Sequence, residues 1–462
     1  MGMENENVLT VINPATGEKI GEHRQLDAAC ISERIEGAHD AFLDWQTKPV
    51  SIRSRVLRRC ASILLERKTQ YGARITSEMG KPIAQAIAEI EKCAWVCSYY
   101  ADQAEEFLSP ENTMVDGREV EVIMCPLGVI YAIMPWNFPF WQAFRALAPA
   151  LMAGNGMVLK GAPNVPGCSA DIASVIAEAG APCGLFVDLP IDIRDSPSVI
   201  ANPLIRGVTV TASESAGRAV AAAAGAQLKK CVLELGGSDP YIVLDDADLQ
   251  MAAKKCATSR MLCAGQVCIA AKRIIAVDGI YDSFKQHLVG ELKGYEMSDP
   301  TKLDCRLGPL AREDLRARVH AQVHRSIELG ADLLLGGSMP TGDGWWYPPT
   351  VLENVHPGMP AFDEEIFGPV AALIRAEDMN HAIALAGDTK FGLGAAIFST
   401  NMDRSRRAIA EIEVGCFAIN DYVRSDPRIP FGGTKASGYG RELGRAGIHE
   451  FTYLKSVVTS RD

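Results

Sequence analysis

Apolar positions along the chain follow two rhythms. In the first hundred residues the spacing is three and four, which reads as helix. Ile52, Val56, Cys60, Ile63 and Leu64 share one face of a helix that Ser51 is placed to cap. A second helical segment follows Gly80-Lys81-Pro82 and runs towards Phe107. The period then changes. Asp116-Gly117 is a turn signal, and Val120, Val122 and Met124 alternate with other residues after it, as in a hairpin or arm. From about residue 126, short apolar runs alternate with helical stretches. Strands are predicted over 127–134, 157–159, 208–211, 232–235 and 241–244, and helices over 140–152, 168–178 and 215–224. Alternation of this kind implies a doubly wound sheet. A second α/β block begins after Asp245, with helices over 247–262 and 311–329 and strands near 273–277 and 370–374. The stretch 412–435 is rich in Gly, Pro and Asp and reads as irregular loop. Residues 453–459 suit a strand pairing with the hairpin near 117–124. No internal repeat or low-complexity segment is present.

Composition narrows the class. A length of 462 residues suggests about three structural units. With 48% hydrophobic and 22% charged residues, the chain has enough apolar material for a large core. The net charge of −11 argues against a nucleic-acid coat, which needs a basic surface. No run of 18 apolar residues exists, so no membrane span is expected. Residues 1–8 carry two acidic side chains and no apolar core, unlike a signal peptide. Gly2 is followed by Glu6 where a myristoylation signal needs Ser or Thr. The 13 cysteines, an odd number scattered from Cys30 to Cys416, read as reduced thiols of a cytoplasmic protein.

Candidate chemistry has to be weighed against plainer readings. His320 and His324 have metal-ligand spacing, but their helix is crowded with charge and offers no third ligand, so a solvated face is the better reading and no metal is expected. No complete Gly-x-Gly-x-x-Gly follows a strand, and no Walker A loop occurs. Cys268, in Gly265-Gln266-Val267-Cys268, lies between a helix and a strand, where a thiol can be aimed. Taken alone, a buried structural cysteine fits as well. Glu234-Leu235-Gly236-Gly237 places a carboxylate at a strand's carboxyl end, where parallel sheets build sites. A cap or salt bridge is the alternative. Asn137, in Pro135-Trp136-Asn137-Phe138-Pro139, could donate to an oxyanion or simply form an Asx-turn. Glu365-Ile366-Phe367-Gly368-Pro369 and Pro430-Phe431-Gly432-Gly433 complete the set.

In combination and in this order, these motifs closely resemble the aldehyde dehydrogenase superfamily. The resemblance runs from Asn13-Pro14-Ala15-Thr16-Gly17 almost to the C-terminus. Asn420-Asp421-Tyr422-Val423-Arg424-Ser425-Asp426-Pro427 resembles the bacterial succinate-semialdehyde dehydrogenase group. The resemblance implies an α/β fold with a Rossmann-like cofactor domain (1–113 and 126–235), an α/β catalytic domain (236–436) and a β oligomerisation arm (114–125 and 447–462). It implies a homodimer or homotetramer that uses NAD or NADP on a small semialdehyde. Cys268 would be the nucleophile, Glu234 the general base, and Asn137 an oxyanion donor with the Cys268 backbone N–H. Trp136, Lys160, Ser213, Leu235, Gly236, Glu365 and Phe367 would hold the cofactor. Arg145 would bind a distal carboxylate as a bidentate fork, with Arg424 and Ser425 assisting from the loop that lines the substrate funnel.

Several positions depart from the family pattern. Ala212 replaces a glycine before the phosphate-binding helix, and Cys263 replaces an asparagine five residues before the nucleophile. Ala146 stands where many members carry a proton-relay lysine, so a proton leaving Glu234 needs another route. No carboxylate follows Lys160 at the third position, which permits a 2′-phosphate without demanding one. The separation of Cys263 and Cys268 leaves a reversible disulfide open. Glu234 argues against release of the thioester to coenzyme A. A non-catalytic nucleotide-binding or structural member is the remaining alternative, supported only by Ala212, Cys263 and Ala146.

Overall fold

The computed structural model describes residues 8–460, so the readings made on residues 1–7 lie outside it. The chain opens on an antiparallel hairpin, Val8–Ile12 with Lys19–Arg24, closed by a turn in which Gly17 adopts φ +74°. This is a correction to the helical reading of the first hundred residues. Both strands are short and the second is largely exposed, so they carry little apolar signal. Four helices follow: Ala28–Trp45, Val50–Glu66, Lys68–Met79 and Ile83–Phe107. Ser51 caps nothing. Its helix starts one residue earlier, after Pro49, whose fixed φ of −63° sets the entry without a side-chain bond.

Two sheets carry the rest. In the first, strands run in the order Gly438–Tyr439, Lys230–Glu234, Ile205–Thr211, Val129–Ile133, Gly156–Lys160 and Phe186–Asp188. All are parallel except Gly438–Tyr439, which returns from the far end of the chain and runs antiparallel to Lys230–Glu234. In the second, the order is Asp332–Leu335, Thr350–Glu353, Val370–Ala376, Ala271–Val277, Asp239–Val243, Gly394–Phe398 and Cys416–Ile419. Only the Asp332–Leu335 edge is antiparallel. Cys416–Ile419 lies inside the stretch read as loop. It is a half-buried edge strand embedded in turn-forming residues, which hide it from a periodicity search.

Strands of the two sheets are apolar because helices cover both faces; Val129 to Ala132 and Ala271 to Ala276 are inaccessible to solvent or nearly so. Helix Pro139–Ala153 is buried at every residue, including Arg145. Glu111–Val115, Arg118–Pro126 and Thr452–Thr459 form a separate three-stranded antiparallel sheet with an exposed face. No helix among the described residues is long and apolar enough to cross a membrane.

Candidate active site

The carboxyl ends of the first sheet's strands face a cleft of about 680 Å³. Its lining includes Trp136, Asn137, Ser213, Leu235, Gly236, Cys268, Glu365 and Phe367, which come from both halves of the chain.

Asn137 sits just beyond strand Val129–Ile133, ahead of the helix that Pro139 begins. That helix start is fixed from outside. Glu89 accepts the backbone N–H groups of Phe140 and Trp141 at 3.0 Å each, where a carboxylate meets the helix's positive end. Lys81 pairs with Glu89 and lies 3.5 Å from the Phe138 ring centroid. The Asn137 side chain donates to the carbonyl of Gln266 at 2.9 Å, so it is bonded into the turn that carries Cys268. An amide nitrogen has two protons, and the second stays free for an oxyanion.

The Cys268 turn is held on every side. Cys263 and Ala264 are left-handed at φ +51° and +53°, and Gly265 follows at +74°. A Cβ on Gly265 would stand 2.2 Å from the Gly368 carbonyl oxygen. Left-handed backbone suits Asn better than Cys, which gives the family's usual asparagine a physical reason and makes Cys263 a strained substitute. The Cys263 thiol is buried against the Asn137 carbonyl at 3.6 Å, and no disulfide joins it to Cys268. Gln266, fully buried, accepts the N–H of Ala311 and donates to Cys263. Arg260 donates to the carbonyls of Gly265 and Gly368. Lys272, also buried, donates to the carbonyls of Val267 at 2.9 Å and Cys268 at 2.6 Å. It ion-pairs with Glu365 at 3.3 Å. Burial pushes the Cys268 thiol up to about 12, with Lys272 the main opposing influence. The resting group is therefore a thiol that needs a base.

Glu234 ends strand Lys230–Glu234 and is 2% exposed. It lies within electrostatic reach of Cys268. Burial holds its pKa above the ordinary carboxylate range, opposed by Arg145 and reinforced by Glu442. Glu442 is equally buried and also raised. One arginine thus faces two buried carboxylates, an arrangement that retains a proton between them. Sequence reasoning missed Glu442. It lies far along the chain from Arg145 and Glu234 and meets them only in the fold.

Arg145 is engaged inside the protein. Its Nε ion-pairs with Glu442 at 2.5 Å, and its Nη2 lies 3.2 Å from Thr211 Oγ1. The Nε–Nη2 edge of the guanidinium is therefore occupied inside the protein, and the bidentate grip on a substrate carboxylate is unavailable there. Arg424 is engaged as well. It is exposed and ion-paired with Asp421 at 2.7 Å. Ser425 is buried, and its hydroxyl accepts from Lys92 Nζ at 2.8 Å.

Most of the remaining residues border the same cleft. Ser213 caps helix Glu214–Ala226 and leaves its N-terminal N–H groups facing the cleft, where phosphates bind well. Gly217 lets that helix approach Leu235, since a Cβ would come within 2.3 Å of Leu235 Cδ2. A Cβ on Gly236 would stand 2.5 Å from Glu365 Oε2. Glu365 itself accepts from the Gly237 N–H at 3.2 Å. Phe367 and Trp136 meet edge to face, with centroids 5.7 Å apart. These open backbone approaches fit a dinucleotide. Lys160 ends its own strand outside the main cleft lining, close to Asp192 and Asp195, two carboxylates absent from the sequence reading. His320 packs edge to face on His324 and against Tyr347. Among the described residues no group of three or more metal-type ligands occurs.

A doubly wound sheet, a nucleotide-shaped cleft and a thiol beside a buried carboxylate define a nucleotide-linked thiol oxidoreductase. The chain belongs to the aldehyde dehydrogenase family, whose model matches residues 2–457. It is 46% identical to the succinate semialdehyde dehydrogenase [NAD(P)+] of Escherichia coli over 450 residues, covering 97% of each chain. It is 42% identical to the succinate-semialdehyde dehydrogenase [NADP(+)] of Deinococcus radiodurans, covering 98% of this chain and 95% of that one. The crystal structure of the Streptococcus pyogenes succinic semialdehyde dehydrogenase in complex with NADP+ superposes with a TM-score of 0.95. The two are 36% identical, over 97% of this chain and 99% of that chain.

Proposed function

We propose that the protein oxidises succinate semialdehyde, or a closely related semialdehyde, to the carboxylic acid with NAD or NADP. The observation that carries this reading is the Cys268 turn, with Asn137 bonded into it and Glu234 buried nearby. In this reading Glu234 draws the proton from the Cys268 thiol. The thiolate attacks the aldehyde carbon, and the carbonyl electrons move to oxygen, held by the free Asn137 proton and the Cys268 N–H. NAD or NADP, when bound, would supply the hydride acceptor that takes the resulting thiohemiacetal to a thioester. Glu234 passes the thiol's proton on and, again a carboxylate, takes a proton from water as the water oxygen attacks the thioester carbon and Cys268 leaves as thiolate. Glu442, sharing Arg145 with Glu234, receives the proton that Ala146 cannot relay. Trp136, Ser213, Leu235, Gly236, Glu365 and Phe367 hold the cofactor, with Lys160 at its adenosine end.

The first sheet and the helices on it act as the cofactor domain and the second as the catalytic domain. The three-stranded sheet is the oligomerisation arm of a cytoplasmic homodimer or homotetramer. The direct test is NAD(P)H absorbance with succinate semialdehyde, run with each cofactor in parallel and with Cys268→Ala. A signal that requires Cys268 supports the reading. Tight cofactor binding without turnover of any semialdehyde refutes it and returns the non-catalytic alternative.

A further inference from the structure

Helix Ile83–Phe107 reaches the reacting centre from outside the cleft, through two side chains one turn apart. Gln85 Oε1 accepts the backbone N–H of Cys263 at 2.9 Å. Glu89 accepts the N–H groups of Phe140 and Trp141, just beyond Asn137. Four-residue spacing puts both acceptors on one face of the helix. Cys263 opens three successive left-handed residues that end at Gly265. Such backbone is strained for a residue with a Cβ and persists only where neighbours impose it. The Cys263 carbonyl is held as firmly as its N–H. It accepts the Gln266 N–H at 3.1 Å and Gln266 Nε2 at 3.0 Å. The Gln266 carbonyl in turn accepts from Asn137. These bonds close a ring. It runs from the helix through Gln85, Cys263, Gln266 and Asn137 to Phe140, and back through Glu89. Lys81, buried and paired with Glu89, anchors the helix side. Asn137 is a member of the ring, and Cys268 lies two residues beyond it.

We propose that Gln85 is a positioning residue for the oxyanion. It fixes the Cys268 turn against the same helix that fixes Asn137 through Glu89, and so sets the separation of the two donors. Gln85 and Glu89 are not among the residues lining the cleft and act only through others. The Asn137 amide and the Cys268 N–H must meet one oxygen, each at about 2.7–3.1 Å. They come from distant parts of the chain, so their spacing needs a common support. Without the Gln85 acceptor the Cys263 N–H loses its partner, the left-handed turn relaxes, and the Cys268 N–H shifts against Asn137. The inference rests on the thiol chemistry proposed above and not on the choice of aldehyde, since every aldehyde develops the same oxyanion.

The test is Gln85→Met, which keeps the side chain's length and removes the acceptor. In steady-state turnover kcat should fall about 10- to 100-fold, as for a small misplacement at a reacting centre, with KM within about twofold. On an Asn137→Ala background the same substitution should cost less than about a third of that factor, because the alignment it serves is already lost. Gln85→Glu keeps an acceptor oxygen and should restore most of kcat. A role confined to stability predicts a lower melting temperature with wild-type kcat, and that result in folded Gln85→Met overturns the proposal. So does a full, independent loss on the Asn137→Ala background. If Gln85→Met fails to fold, Gln85→Asn, a methylene too short to reach Cys263, is judged by the same outcomes. Failure of the thiol reading itself shows in wild type alone, as cofactor binding without turnover of any aldehyde.

Discussion

Replacing Lys272 by Met isolates the electrostatic support of the Cys268 thiol. Lys272 Nζ lies 2.6 Å from the Cys268 carbonyl oxygen. By covalent geometry that oxygen is about 4 Å from the residue's own sulfur, so the ammonium is at most about 7 Å from the thiolate. Coulomb attraction at that distance is about 2.4 kcal/mol at an effective dielectric of 20, and about half that at 40. Among the influences on the Cys268 thiol, Lys272 is the largest that lowers its pKa, so its loss moves the pKa further up. The shift should be about one to two pH units, at about 1.4 kcal/mol per unit. Alkylation of Cys268 by iodoacetamide at fixed pH, read by peptide mass spectrometry against Cys183, should slow about 10- to 50-fold. Cys183 is exposed and supplies an internal control. Lys272→Arg keeps the charge and should slow it far less. An alkylation rate unchanged in folded Lys272→Met protein would refute the argument.

Other substitutions separate the remaining roles. Asn137→Ala should lower kcat by about 10²- to 10³-fold with little change in KM, as for loss of one oxyanion donor, measured by steady-state turnover. Glu442→Gln removes a negative charge that raises the Glu234 pKa. That pKa should fall, and the rising limb of kcat/KM against pH should move to lower pH; a limb that stays in place or moves upward counts against the shared-proton arrangement. Gly236→Ala would press a methyl group against the Glu365 carboxylate. It should weaken NAD(P) binding at least several-fold in a fluorescence titration while leaving Cys268 alkylation intact.

Much of the architecture could be read from local pattern, because buried parallel strands are short apolar runs wherever they occur. Val129–Ile133, Gly156–Lys160 and Ala271–Val277 are of this kind, and helix Ile83–Phe107 shows its face over many turns. Exposed and edge elements were harder. Lys19–Arg24 has no buried residue, and Cys416–Ile419 is half-buried among turn formers. At the site, residue types at motif positions were legible, but their partners were not. Arg145 meets Glu442, Lys92 meets Ser425, and Lys272 meets Glu365, each across a long stretch of chain. Local periodicity carries no information on such meetings. Arg145 shows the point: its ion pair with Glu442, almost three hundred residues on, leaves no trace in the local pattern.

The return of Gly438–Tyr439 to the edge of the first sheet bears on the protein's birth. That short strand pairs with Leu233 and Glu234, and the residues just after it bring Arg441 and Glu442 to the Glu234 carboxylate. A ribosome has therefore made more than nine-tenths of the polypeptide before Glu234 can acquire its surroundings. At about 5–20 residues per second, a nascent chain can fold its nucleotide-binding portion for many seconds while holding an unfinished thiol centre. Truncated products that lose the last few dozen residues should then occupy cofactor without turning over aldehyde.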